Sequence, residues 1–259
     1  MPQMLIFGLG YSAAVLAGRL REQGWSVSAT GRSGDLDFAD RDAVESALVE
    51  STHVLSSVPP EPGGCDPVLD AYQDALAGSG AWLGYLSSTG VYGDTGGAWV
   101  DEGAPIGTGR RTARAEADLA WQALGARVFR LPGIYGPGRS PLDRVRSGAA
   151  HRIDLPDQVF SRVHVEDIAG GVIAGFAGPP GVYNLADDLP ASQNAVIEEA
   201  CRLLGRDPPP LQSLAEARLS PMAAAFYAEN RRVANGKARR VLEWTPRYPT
   251  YAEGLRALA

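Results

Sequence analysis

The chain has 259 residues, 45% hydrophobic and 21% charged, which excludes a disordered chain and suits one large α/β domain with a modest second lobe. A net charge of −6 without a basic cluster excludes a nucleic-acid or anionic-membrane surface; the short pairs Arg110-Arg111 and Arg231-Arg232 do not alter this, and the first reads as a solvated face. Two cysteines, Cys65 and Cys201, and three histidines show no metal-ligand spacing, so no metal site is expected and the thiols read as reduced.

The chain enters a strand at once, and no apolar run approaches the roughly 20 residues of a membrane span, so the expected location is the cytoplasm. Residues 4–7 are a buried-strand run. Gly8-Leu9-Gly10-Tyr11-Ser12-Ala13 follows, and then Ala13, Leu16, Ala17 and Leu20 share one helical face, ended by Gly24. Residues 26–30 read as a second strand and 36–38 as a short one. Helices are expected over 40–50, 67–77 and 112–124. Strands are expected over 53–58, stopped by Pro59-Pro60, and over 82–87 and 127–131. This alternation predicts a parallel sheet covered on both faces. After Gly136 the periodicity weakens. A helix-like stretch follows over 163–176, a strand over 182–186 and a helix over 192–204. The predicted division is 1–136 plus 163–186 for the sheet domain, and 137–162 plus 187–259 for a small substrate lobe.

The glycine motif lies between a predicted strand and a predicted helix, where a dinucleotide fingerprint belongs. Gly8 permits the tight turn, Gly10 lets backbone approach the pyrophosphate, and Ala13 takes the third small position. The helix N-terminus then offers free N–H groups to phosphate. At the end of the second strand an NAD site places an acid on the ribose hydroxyls. This chain has Thr30-Gly31-Arg32-Ser33 instead, which favours NADP over NAD: Arg32 and Ser33 are suited to a 2′-phosphate. Asp37 and Phe38 are read as adenine neighbours, with capping as the alternative role for Asp37.

Further segments occur in order: Leu86-Ser87-Ser88-Thr89-Gly90-Val91-Tyr92-Gly93, Arg130-Leu131-Pro132-Gly133-Ile134-Tyr135-Gly136-Pro137-Gly138, His164-Val165-Glu166-Asp167-Ile168-Ala169 and Gly181-Val182-Tyr183-Asn184-Leu185-Ala186. With the glycine motif they resemble the extended short-chain dehydrogenase/reductases, the NAD-dependent epimerase/dehydratase family, over nearly the whole chain. The likeness is to an atypical bacterial subgroup. It implies an α/β Rossmann fold, a doubly wound parallel sheet with a small C-terminal substrate lobe and an active site between the two. It implies that Val58, Pro59, Pro132 and Gly133 lie beside the nicotinamide, and that helices 67–77 and 112–124 pair in a homodimer.

The family's chemistry uses a Tyr and a Lys four residues later on one helix face, with an upstream Ser or Thr; the cation lowers the phenol pKa so that it can exchange a proton with substrate. Ser88 stands at the Ser/Thr position. Anchored on Glu116, the Tyr and Lys positions fall on Thr108 and Thr112, which cannot do that work, and the only lysine in the chain is Lys237. Thr89 and Gly90 stand where dehydratases carry acids, which disfavours a sugar-nucleotide dehydratase. Substitute acid/base groups near the motifs are Tyr11, Tyr92, Tyr135 and His164, each with packing as its alternative role. Arg139, Arg162 and Arg231 are candidate clamps for an anionic small-molecule substrate. The leading reading is an NADP(H)-dependent oxidoreductase or epimerase-like enzyme with non-standard catalytic residues, acting on a small substrate, with sugars and nucleotide-linked compounds among the candidates. The alternatives are a non-catalytic NADP(H) sensor or partner-binding module, and a protein that uses the cofactor structurally.

Overall fold

A computed structural model describes residues 1–61, 64–109, 112–219, 224 and 226–259. The Arg110-Arg111 pair lies outside the described residues.

The strand β1 (Gln3–Phe7) is an inner strand of the main sheet, one place from its edge. Its alternate side chains enter two different cores: Met4 and Ile6 pack on one face of the sheet, Leu5 and Phe7 on the other. All four are fully buried. A run apolar on both faces is what a strand covered by helices on both sides requires. β2 (Ser26–Ala29) and β3 (His53–Ser56) flank β1, and β4 (Trp82–Ser88), β6 (Arg127–Leu131) and β10 (Gly181–Asn184) continue outward beyond β3. The pairings are parallel, in the order β10-β6-β4-β3-β1-β2.

Helices α1 (Tyr11–Glu22) and α6 (Val165–Ala174) cover the first face, with Leu16, Leu20, Ile168 and Val172 inward. Helices α2 (Arg41–Glu50), α3 (Pro67–Gly78) and α4 (Thr112–Ala123) cover the second, with Val44, Leu48, Leu76 and Trp121 inward. Local chemistry sets their starts. Asp40 accepts from Ala43 N at 3.1 Å, and Asp66 accepts from Val68 N at 2.9 Å just before Pro67. The other Asp66 oxygen accepts from Trp121 Nε1 at 3.0 Å and ties α3 to α4.

Two predicted elements differ. Residues 36–38 form a single bridge, Leu36 to Thr30, because the Asp35 carboxylate takes the edge N–H of Ala29 at 2.7 Å that a further strand would need. The stretch 163–176 divides into β9 (Arg162–His164) and α6. His164 is extended and its Nδ1 accepts from Glu166 N at 3.2 Å, so it caps the helix, while β9 pairs with β7 (Gly133–Tyr135).

A smaller core gathers α5 (Pro141–Arg146), α7 (Gln193–Leu204) and α9 (Tyr251–Arg256) around Leu142, Val145, Ile197 and Leu255. β8 (Arg152–Ile153) pairs with β11 (Leu211–Gln212), and β5 (Trp99–Val100) with β12 (Arg232–Val233). The chain then returns to the sheet: α8 (Gly236–Val241) is followed by Leu242 and Trp244, which join Ala238 in the first core. Cys201 is buried in the smaller core, Cys65 is exposed, and both are free thiols. Among the described residues no helix is long and apolar enough to cross a membrane, and no group of His, Cys, Asp and Glu has metal-binding form.

Candidate functional site

The chain leaves β1 for β2 on one side and later places β3 on the other. The connections after β1 and β3 therefore diverge and open a crevice at the carboxyl ends of the strands, where open α/β sheets bind ligands. The glycine turn forms one wall. Gly8 has φ +83°, and a Cβ there would lie 2.8 Å from Val58 Cγ2. Ser57 Oγ donates to Gly8 O at 2.5 Å, and Leu9 N donates to Thr30 O at 2.8 Å, so three strand ends are joined around the turn. Gly10 differs. A Cβ on it would meet nothing within 4 Å, so its backbone faces open space. Behind it, α1 begins without a side-chain cap and without an acid in its first turn, and its leading N–H groups are directed at that space. These features fit the pyrophosphate of a dinucleotide: exposed donors, a positive helix end and no side chain in the way.

The cavity over this turn has a volume of about 530 Å³ and reaches the smaller core's loops. Of the residues expected to bind cofactor, Gly10, Tyr11, Ser12, Pro59, Pro132 and Gly133 line it. Gly8, Ala13 and Val58 stand behind the lining, with Ala13 buried in the first core and Val58 packed in the second. Arg32, Ser33, Asp37 and Phe38 lie outside this cavity, beyond the end of β2. Arg32 and Ser33 are exposed, and Arg32 has no ion-pair partner among the described residues. Asp37 accepts from Ala39 N at 3.0 Å, its turn-capping role, and Phe38 packs edge-on to Phe7 and Tyr72. Ser57, which the sequence reading missed, lines the cavity; its only signal was its place directly before Val58-Pro59.

Ser88 lines the cavity, and its oxygen accepts from Gly90 N at 3.1 Å. That bond leaves its own proton to donate. Thr108 and Thr112 are exposed and absent from the lining; Thr108 Oγ1 donates to Tyr92 O at 3.1 Å. Three of the four substitute acid/base groups are also elsewhere. Tyr92 is buried between Arg130 Nη1, at 3.0 Å, and Asn184 Oδ1, at 2.8 Å. Tyr135 is buried against Gly254, and burial drives its phenol far up. His164 caps α6 and burial holds it down at about 4. Tyr11 does line the cavity, but its hydroxyl donates to Pro137 O at 3.0 Å and burial raises its pKa. Of the three arginines, Arg139 and Arg231 line the cavity. Arg162 is buried and holds the carbonyls of Phe160, at 2.8 Å, and Ala191, at 2.9 Å, which makes it a brace for the loop that carries Phe160.

Beside Arg162 sits Asp187, buried, with no hydrogen bond of ordinary geometry to its carboxylate. Burial pushes it up to about 7, against the pull of the Arg162 charge. A carboxyl whose folded pKa lies above its unfolded value of about 3.9 binds protons on folding. Its contribution is complete below that value and is lost as the pH rises through about 7. Asp187→Asn is therefore expected to gain several degrees in Tm on the wild type between pH 5 and pH 8. A difference that stays constant across that range would rule this out.

No protein-family model matches the sequence. A solved structure from Silicibacter pomeroyi, described as a functionally unknown conserved protein, is 42% identical, covers 100% of this chain and 98% of its own, and has a TM-score of 0.86. The human epimerase family protein SDR39U1 (isoform 2), solved with NADPH, has a TM-score of 0.77 at 16% identity, with 99% of each chain covered. This chain has the NAD-dependent epimerase/dehydratase fold. With the Silicibacter protein it belongs to one family by sequence. Among curated relatives, protein YeeZ of Escherichia coli K12 is 25% identical over 244 residues, 81% of this chain and 86% of YeeZ. A 3-diazoavenalumate denitrifying reductase of Streptomyces is 29% identical over 181 residues, 60% of this chain and 58% of the reductase.

Glu116, the anchor for Thr108 and Thr112, is exposed. The acid that α4 turns toward the sheet is Asp118, fully buried, which accepts from Ser87 Oγ at 2.5 Å and pairs with Arg130. Four residues before it on the same face is Arg114, which lines the cavity. Eight before it is Arg110, outside the described residues. Arg114 is thus the cation that the described part of α4 presents to the cavity. The signal for it was burial, which spacing alone does not show.

Proposed function

We propose that this protein is a cytoplasmic NADP(H)-dependent oxidoreductase or epimerase-like enzyme acting on a small molecule through non-standard residues. The observation that carries the reading is the single cavity joining the bare glycine turn, with its uncapped helix end, to Ser88 and the loops of the smaller core. The backbone N–H groups of Tyr11 and Ser12 would hold the pyrophosphate, and Pro59, Pro132 and Gly133 would flank the nicotinamide. That group supplies hydride transfer when bound. Ser88 Oγ, with its acceptor side already used by Gly90 N, donates to and orients a substrate oxygen. The likeness to the NADPH-bound human protein and the unpaired Arg32 support NADP over NAD. The Streptomyces relative's named reductase activity supports the oxidoreductase class. Helices α3 and α4, the latter with Leu119 exposed, are the proposed faces for a homodimer.

The test is a fluorescence titration with NADPH and NADH of wild type and Arg32→Ala. Loss of a charge-assisted contact of about 1.5–3 kcal/mol should weaken NADPH by roughly 10- to 100-fold and leave NADH unchanged. Equal wild-type affinities for the two would remove the 2′-phosphate assignment. One observation favours a second reading, a non-catalytic NADP(H) sensor: the described cavity lining contains no lysine or histidine, and its one tyrosine is pinned to Pro137. Exchange of solvent deuterium into substrate or cofactor would exclude the sensor.

A further inference from the structure

Among the described residues three arginines line the cavity, and their surroundings give them different work. The Arg139 guanidinium lies 5.8 Å from the Tyr11 ring centroid, beside the glycine turn and so on the phosphate side of the proposed cofactor site. Arg231 is already engaged: it donates to Gly93 O and to Glu229 Oε2, the latter at 2.9 Å. Arg114 is neither. Its Nη1 donates to Tyr85 OH at 2.9 Å and approaches Leu86 O at 3.4 Å, and the guanidinium stacks near the Tyr85 ring at 5.8 Å. Burial pushes the Tyr85 phenol up to about 12, so it stays neutral and does not cancel the charge. No carboxylate pairs with Arg114 among the described residues. The guanidinium is thus fixed through one nitrogen, and its remaining N–H groups are left for the cavity.

A held, unbalanced cation in a cavity wall calls for an anion. One guanidinium matches one carboxylate bidentately. A phosphate dianion would want a second cation, and among the described lining residues Arg231 is shared with Glu229. The apolar side of the substrate space is aromatic: Phe160 and Phe226 line it with ring centroids 5.6 Å apart. The cavity, about 530 Å³, has to take the nicotinamide end as well, which favours a small molecule in the space left.

We propose that the substrate is a small aromatic carboxylate, its carboxylate gripped by Arg114 and its ring packed on Phe160. The assignment rests on the reading of this cavity as a dinucleotide-dependent site, since that reading decides which part of it is left for substrate.

The experiment is calorimetric titration of the full chain with cinnamate, cinnamyl alcohol and UDP-glucose, each with and without saturating NADPH. Wild type, Arg114→Ala and Arg114→Lys are compared, with Tm as the folding control. Wild type should prefer cinnamate to the alcohol by about tenfold or more. Arg114→Ala should lose that preference and Arg114→Lys keep part of it, while the NADPH affinity of both moves less than twofold. The proposal is overturned if wild type shows no preference, if Arg114→Ala keeps it, if UDP-glucose binds more tightly than cinnamate, or if Arg114→Ala weakens NADPH as much as cinnamate. The cofactor reading fails separately: a wild type that prefers cinnamate but binds no NADPH overturns that reading and supports the arginine assignment.

Discussion

Asp118→Ala is expected to destabilise the fold by about 3–5 kcal/mol, the cost of leaving one member of a buried ion pair without its partner. The pair is fully enclosed, with side-chain exposures of 3% for Arg130 and 0% for Asp118. Arg130 Nε and Nη2 reach the two carboxylate oxygens at 3.0 and 2.7 Å, and Gln122 Nε2 adds a third donor at 2.7 Å. Arg130 then carries the network through Tyr92 to Asn184 on the edge strand β10. Removing Asp118 therefore strands a guanidinium beneath the end of β4, next to Ser88. Asp118→Asn keeps the shape and loses the charge, and should fall between wild type and Ala. The exposed pair Arg202–Glu199 is the control: Arg202→Ala should leave the urea midpoint almost unchanged. Urea unfolding of all three variants measures the differences. A loss below about 1 kcal/mol for Asp118→Ala would mean that water reaches Arg130 and that the network does not hold the floor of the site.

The two glycines of the turn should fail in opposite ways. Gly8→Ala should destabilise the protein by about 1–2 kcal/mol for its left-handed backbone alone, with the contact at Val58 adding to it. Gly10→Val should do the reverse. Its φ of −87° suits any residue and its Cβ meets no protein atom within 4 Å. The fold should lose no more than about 1 kcal/mol from the poorer helix cap. Yet the added side chain fills the space over the helix end, so NADPH affinity should fall by roughly 100-fold, about 2.7 kcal/mol. Thermal melts and NADPH titrations of the two variants separate the effects. If Gly10→Val bound NADPH like the wild type, the open space at Gly10 would not be the phosphate cradle.

What was legible in the sequence was local. The strand, glycine turn and helix at the N-terminus are specified by neighbours within about 20 residues, and the caps Asp40 and Asp66 announce their helices. What was not legible depended on side chains meeting across the fold. Asp35 folds back on β2 and cuts the 36–38 strand to one bridge. His164 spends a ring nitrogen on a cap, which no apolar periodicity records. Tyr92 stood beside a motif and looked available, but its partners are Arg130 and Asn184, 38 and 92 residues away. The same blindness hid Arg114. Glu116 and Asp118 are equally acidic in sequence, and only burial shows which one faces the sheet.

The measurement that bears most directly on the account is a fluorescence titration of the wild-type protein with NADPH, run beside Gly10→Val at matched folding. Saturable binding by the wild type, lost in the variant while its melt is retained, is the predicted result. It would place a nicotinamide dinucleotide on the glycine turn. Absence of binding by a folded wild type, or equal binding by both proteins, would contradict the account.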